Sequence, residues 1–134
     1  VRTDVTDDKS VAAAMAAVVS AYGGIDILIN SAGGYGRIAT IDDISVEEWD
    51  QTVALNLRSV FLSCRAAIPH LRKSKAGRII NVSSISGRTI SASTSPAYSA
   101  SKAGVIQFTR FLAYQLGGVR PMAIFINGAE QPRD

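Results

Sequence analysis

The apolar residues fall into two kinds of run. The first recurs at helical spacing. An Ala- and Val-rich stretch predicts a helix from Asp8 to Tyr22, capped by Thr6 or Asp7 and closed by Gly23-Gly24. Trp49, Val53, Leu57, Val60, Phe61 and Cys64 predict a second helix. Ser45 and Glu48 form a capping box at its start, and it continues to Leu71 with Pro69 near its end. Val105, Phe108, Leu112 and Leu116 predict a third, opened by Pro96 and stopped by Gly117-Gly118. The second kind of run is short and β-branched. Ile25-Asp26-Ile27-Leu28-Ile29-Asn30 and Arg78-Ile79-Ile80-Asn81-Val82-Ser83 read as buried strands, and residues 1–6 as the end of another.

Strand, helix, strand, helix, strand, helix with short connections predicts an α/β fold. The expected form is a Rossmann-like, doubly wound parallel sheet with right-handed crossovers and helices on both faces. Ligands of such sheets sit at the carboxyl ends of the strands. Here those ends carry Asp4-Val5, Asn30-Ser31-Ala32-Gly33 and Ser83-Ser84, and the helix bearing Tyr98 leaves the same edge.

Composition narrows this picture without redirecting it. At 134 residues and 47% apolar the chain has room for one domain and one core. Cys64 is the single cysteine, so an internal disulfide and a Cys-cluster metal site are both excluded, and it reads as a small apolar residue on a helix face. His70, the single histidine, reads as a helix-end residue. The net charge of +3 comes from scattered cations, and the one cluster, Arg72-Lys73-Ser74-Lys75, follows a helix where cations favour the C-terminus. No basic stripe with interleaved aromatics marks a nucleic-acid surface, and no run is long enough to span a bilayer.

The candidate chemistry lies at the predicted sheet edge. Tyr98 and Lys102 stand four apart on one helix face, where an ammonium would lower the pKa of a phenol and make an acid/base pair. Asn30, Ser31, Ala32 and Gly33 are small residues that let a ring or ribose approach the backbone, or else an ordinary turn. Asn56 is locally unfavourable in a helix; it reads as facing inward, either toward a site or as a buried amide bonding a neighbouring loop. Ser83 and Ser84 end a strand, as caps or as ligands. Gly33-Gly34-Tyr35-Gly36 lacks the spacing of a dinucleotide fingerprint.

Together these motifs resemble the short-chain dehydrogenases/reductases, in their short single-domain branch. The resemblance rests on Asp4-Val5, Asn30-Ser31-Ala32-Gly33, Trp49 with Asn56-Leu57, Ile80-Asn81-Val82-Ser83-Ser84 and Tyr98 with Lys102, in family order over about residues 1–120. It implies an oxidoreductase that interconverts a secondary alcohol and a ketone with NAD or NADP, for example a 3-oxoacyl reductase-like activity. Tyr98 would be the acid/base, and Lys102 would lower its pKa and hold the nicotinamide ribose. Ser84 would orient the substrate oxygen, with Ser86 as the fallback because the interval from Ser84 to Tyr98 is about one residue longer than the family's commonest one. Asn56 would keep a water behind Lys102. Asp4 and Val5 would meet the adenine, and Asn30, Ala32 and Gly33 would flank the cofactor. The resemblance further implies a cytoplasmic protein with a small alcohol or ketone as substrate, no nucleic-acid or membrane partner, and a homo-oligomer, dimer or tetramer, at full length. A non-catalytic dinucleotide-binding or oligomerisation module of the same fold is the alternative.

Two departures from the family pattern carry expectations of their own. The phosphate-binding glycine turn is absent, so residues 1–134 are expected to be a partial dinucleotide-binding and catalytic domain without its first βαβ unit. Pro121 falls where the family has a strand, and Ile126-Asn127 where it has Pro-Gly. The C-terminal strand and substrate lid are therefore expected to be missing. The isolated chain is expected to bind dinucleotide poorly and to turn over little.

Overall fold

The computed structural model describes residues 1–126. Its elements are α1 (Asp8–Tyr22), β1 (Ile27–Asn30), α2 (Val46–Val53), a π-turn (Ala54–Arg58), α3 (Ser59–Leu71), β2 (Arg78–Ser84), a 3-10 turn (Ile85–Gly87), α4 (Pro96–Leu116) and β3 (Arg120–Ile126). The helix starts follow local chemistry. Asp7 caps α1 by accepting from the Lys9 N–H. Ser45 and Glu48 form the expected reciprocal box at α2. Ser95 caps α4 by accepting from the Tyr98 N–H, and Pro96 occupies the first turn. The long helix expected from Ser45 to Leu71 is continuous but contains the π-turn, which widens the coil by one residue around Asn56.

The three strands are parallel in the order β1-β2-β3, with Asn30 opposite Asn81 and Ser84 opposite Ile126. The Rossmann-like class therefore holds. Strands added in one direction through crossovers of one hand lay their helices on one face. Leu28 and Ile79 accordingly join residues of α3 and α4, among them Val60, Cys64, Ala67 and Val105, in a single core. The second helical layer, expected on the opposite face, is not found among the described residues. That face shows Ile27, Ile29, Met122 and Ile124 to solvent, so β1 is buried on one side only.

Two further expectations change. Residues 1–4 form no strand, because no neighbour is placed to pair with them; residues 5 and 6 turn directly into α1. The C-terminal strand expected to be lost is present as β3, with Pro121 inside it. The Arg120 N–H donates to the Gly77 carbonyl, toward β2. Successive N–H groups alternate sides, so the Pro121 nitrogen falls on the outer edge, where a missing donor leaves the β2 ladder intact. Asn127 and the rest of the tail lie outside the described residues.

Candidate active site

Ser84, Tyr98 and Lys102 come together where β2 ends and α4 begins. All three are buried. Ser84 is the last residue of β2, and its hydroxyl accepts from the Ser86 N–H at 3.2 Å, capping the 3-10 turn. One helical turn separates Tyr98 from Lys102, whose ammonium lies 5.6 Å from the phenol ring centre. The Lys102 Nζ donates to the Val82 carbonyl at 3.0 Å, and the Ser83 hydroxyl donates to the Lys102 carbonyl at 2.9 Å. β2 is thus fastened to α4 at the pair itself. Gly87 lets the following turn lie on the helix: a Cβ there would sit 2.6 Å from the Lys102 carbonyl carbon. Ser86, the fallback serine, instead borders a separate open cleft with Arg88 and Thr94.

Asn56 reaches this cluster from the other helix. It is fully buried. Its Nδ2 donates to the Gly34 and Thr52 carbonyls, both at 2.9 Å, and its Oδ1 accepts from the Gly34 N–H at 3.1 Å. The amide therefore clamps the loop after β1, the role of a buried Asn bonding a neighbouring loop. Gly33 sits inside the same contact sphere, since a Cβ there would stand 2.8 Å from Asn56 Oδ1 and 3.4 Å from Lys102 Nζ. Three motifs far apart in sequence meet within one small volume.

The remaining candidates lie elsewhere. Val5, Asn30 and Ala32 border a cleft of about 200 Å3 beside the end of β1. The Asn30 side chain turns inward, its Nδ2 donating to Asn81 Oδ1 at 2.8 Å and to Cys64 Sγ at 3.4 Å. Asn81 in turn donates to the Thr109 hydroxyl at 2.9 Å. This ladder through α3, β1, β2 and α4 occupies the Asn30 Nδ2, while Asn30 still lines the cleft. Asp4 is exposed, and its carboxylate accepts from the N–H and the hydroxyl of Thr6, which hold it below the usual carboxylate range. Sequence reasoning did not single out Thr109 or the close approach at Gly87; a polar residue at an inward helical position was the only signal for Thr109.

The electrostatics overturn one expectation. Tyr98 is not depressed: burial pushes its phenol above the ordinary value, the Tyr35 hydroxyl and its charge push the same way, and only Ser84 opposes them. Burial lowers Lys102. The physical reason is that the ammonium is bonded to a carbonyl rather than to the phenol, while both groups lose water. Burial pushes the Cys64 thiol up to about 12, in keeping with an inert packing residue. Among the described residues no cluster of three or more His, Cys, Asp or Glu gathers to hold a metal, and no helix is long and apolar enough to cross a membrane.

The sequence model of the short chain dehydrogenase family matches residues 1–129. The 2-(R)-hydroxypropyl-CoM dehydrogenase of Xanthobacter autotrophicus is 38% identical over 136 residues, covering 98% of this chain and 54% of that protein. The D-threitol dehydrogenase of Mycolicibacterium smegmatis is 41% identical over 115 residues, 86% of this chain and 44% of the other. Among solved structures, the NADH-dependent reductase A1-R' complexed with NAD superposes with a TM-score of 0.91 at 29% identity, over 97% of this chain and 57% of that one. The chain spans about half the length of the curated relatives it matches.

Proposed function

The chain belongs to the short-chain dehydrogenase/reductase family, and from that premise we propose that it carries the acid/base centre of an NAD- or NADP-dependent oxidoreductase acting on a secondary alcohol or its ketone. The observation that carries this reading is the convergence of Ser84, Tyr98 and Lys102, all buried, at the carboxyl edge of β2. Both relatives are named for a hydroxylated small molecule, which favours a substrate of that class. A 3-oxoacyl thioester reduced to its 3-hydroxy form is one member of the class.

The donor set fits a nicotinamide ribose. An ammonium has three N–H donors, and one of those on Lys102 goes to Val82, leaving others for ribose hydroxyls. Glycine at position 33 keeps the backbone beside Lys102 open. When bound, the dinucleotide supplies or accepts the hydride. In the reductive direction the carbonyl carbon gains the hydride and the Tyr98 hydroxyl gives its proton to the carbonyl oxygen, leaving a phenolate that solvent reprotonates. In the oxidative direction the phenolate takes the alcohol proton. The raised pKa keeps Tyr98 protonated at neutral pH, as a donor must be, and makes it a weaker acid than a free phenol. The Ser84 hydroxyl orients the substrate oxygen toward the phenol. Asn56 acts through the loop it clamps, holding Gly33 and Gly34 against the site.

Tyr98→Phe in the full-length protein carrying this chain removes the proton while keeping the ring. Loss of kcat by at least about a hundredfold, with dinucleotide affinity retained, is the expected result for a general acid. Unchanged turnover would remove Tyr98 from the chemistry. An absence of turnover in the parent protein, with dinucleotide still bound, would favour the non-catalytic module instead.

A further inference from the structure

A second phenol stands at the reactive one. The ring centres of Tyr35 and Tyr98 lie 4.7 Å apart with their planes at 44°. Such tilted contact at short range is a favourable aromatic geometry. The backbone before Tyr35 is held, and the residue after it lies close to the helix. Asn56 bonds both the N–H and the carbonyl of Gly34. Gly36 has φ +67, the left-handed region that glycine enters without strain, and a Cβ there would meet the Thr52 hydroxyl at 3.2 Å. The loop is thus pinned at Gly34 to the helical segment that carries Asn56 and lies close to Thr52 at Gly36, and the Tyr35 side chain between them packs on Tyr98. Tyr35 is 47% exposed while Tyr98 is 5% exposed, so Tyr35 shields the reactive ring on that side.

We propose that Tyr35 is a positioning residue for the proton transfer: its ring, packed on that of Tyr98, holds the reactive phenol toward Ser84 and forms one wall of the substrate site. The proposal rests on Tyr98 being the acid/base group described above. The contact also has an electrostatic consequence. The groups facing Tyr98 are Lys102 from α4, Tyr35 from the loop and Ser84 from the end of β2. Burial is the largest influence and raises the phenol; Tyr35 raises it further, and Ser84 opposes. Removing the Tyr35 hydroxyl therefore makes Tyr98 ionise at lower pH, which aids alcohol oxidation and shortens the pH range in which Tyr98 can donate.

The test compares Tyr35→Phe and Tyr35→Ala with the parent, in the full-length protein. Phenolate absorbance is titrated in each, and Tyr98→Phe identifies the Tyr98 component. The expected result is a Tyr98 midpoint at lower pH in Tyr35→Phe, with a matching shift in the pH profile of kcat. In Tyr35→Ala, kcat/KM falls about tenfold, the scale of one lost aromatic contact, and Tyr35→Phe recovers most of that loss. An unmoved Tyr98 midpoint in Tyr35→Phe, or parent-like kcat/KM in Tyr35→Ala, overturns the proposal. A fully active Tyr98→Phe sinks the acid/base reading instead, and the absorbance titration still reports separately on the Tyr35–Tyr98 contact.

Discussion

Replacing Asn56 tests whether the loop beside Lys102 is held by hydrogen bonds or only by packing. Asn56→Ala deletes three bonds from a fully buried side chain: two donated by Nδ2, to Gly34 and Thr52, and one accepted by Oδ1 from Gly34. At about 1 kcal/mol each, the loss is about 3 kcal/mol. Asn56→Asp is the sharper variant because it nearly conserves shape. It keeps the acceptor for the Gly34 N–H but turns a carboxylate oxygen toward two carbonyl oxygens. Packing alone makes this change mild. The bonded arrangement makes it at least as costly as Ala at neutral pH. Burial would raise the pKa of the introduced carboxyl, so the folded state is penalised as pH rises through the ordinary carboxylate range. It recovers as pH falls and the protonated acid donates to one carbonyl. Urea unfolding of the full-length protein, with the midpoint and slope read separately, measures the loss. Hydrogen exchange at the Gly34 amide reports whether the loop itself opens. A cost below about 1 kcal/mol for Asn56→Ala, or a milder effect for Asn56→Asp than for Ala at neutral pH, would refute the clamp.

Two further outcomes follow from contacts near the site. Gly87→Ala places a methyl 2.6 Å from the Lys102 carbonyl carbon, against backbone that cannot rotate away. It should cost about 1–3 kcal/mol in denaturant unfolding and lower kcat by displacing Ser84 from Tyr98; parent-like values of both would mean that the turn does not rest on α4. Glu48 is held down to about 2 by its hydrogen bonds with Arg37, at 2.8 and 3.0 Å, and by the Ser45 N–H. Its stabilising contribution is therefore complete above the ordinary value of 4.5 and disappears as pH falls through about 2. Glu48→Gln should flatten the acid limb of an unfolding-versus-pH curve, and an unchanged limb would count against the bridge. Because this pair is exposed, high salt should reduce the effect.

Most of the elements were legible in sequence because their signals are local. Helical periodicity, the Ser45–Glu48 box, Pro96 in a first turn and the two β-branched runs each act within a few residues. The order of those elements was enough for a parallel sheet, and the spacing of Tyr98 and Lys102 for a shared helix face. The π-turn at Asn56 was not legible, since one extra residue in a coil leaves the apolar pattern almost unchanged.

What only the tertiary structure decided depends on partners distant in the chain. Pro121 reads as a strand breaker, yet its tolerance turns on which side of β3 its nitrogen faces, and that is set by the bond from Arg120 to Gly77. Asn30 lies in a motif that invites a ligand, yet its Nδ2 bonds Asn81 and Cys64, from a strand and a helix that sequence cannot bring together. A phenol and an ammonium four residues apart suggest a lowered pKa. Burial and the Tyr35 hydroxyl decide the opposite sign. Spacing along a helix determines which groups can be neighbours. Solvation and the remaining contacts, both properties of the packed whole, determine what those neighbours do to one another.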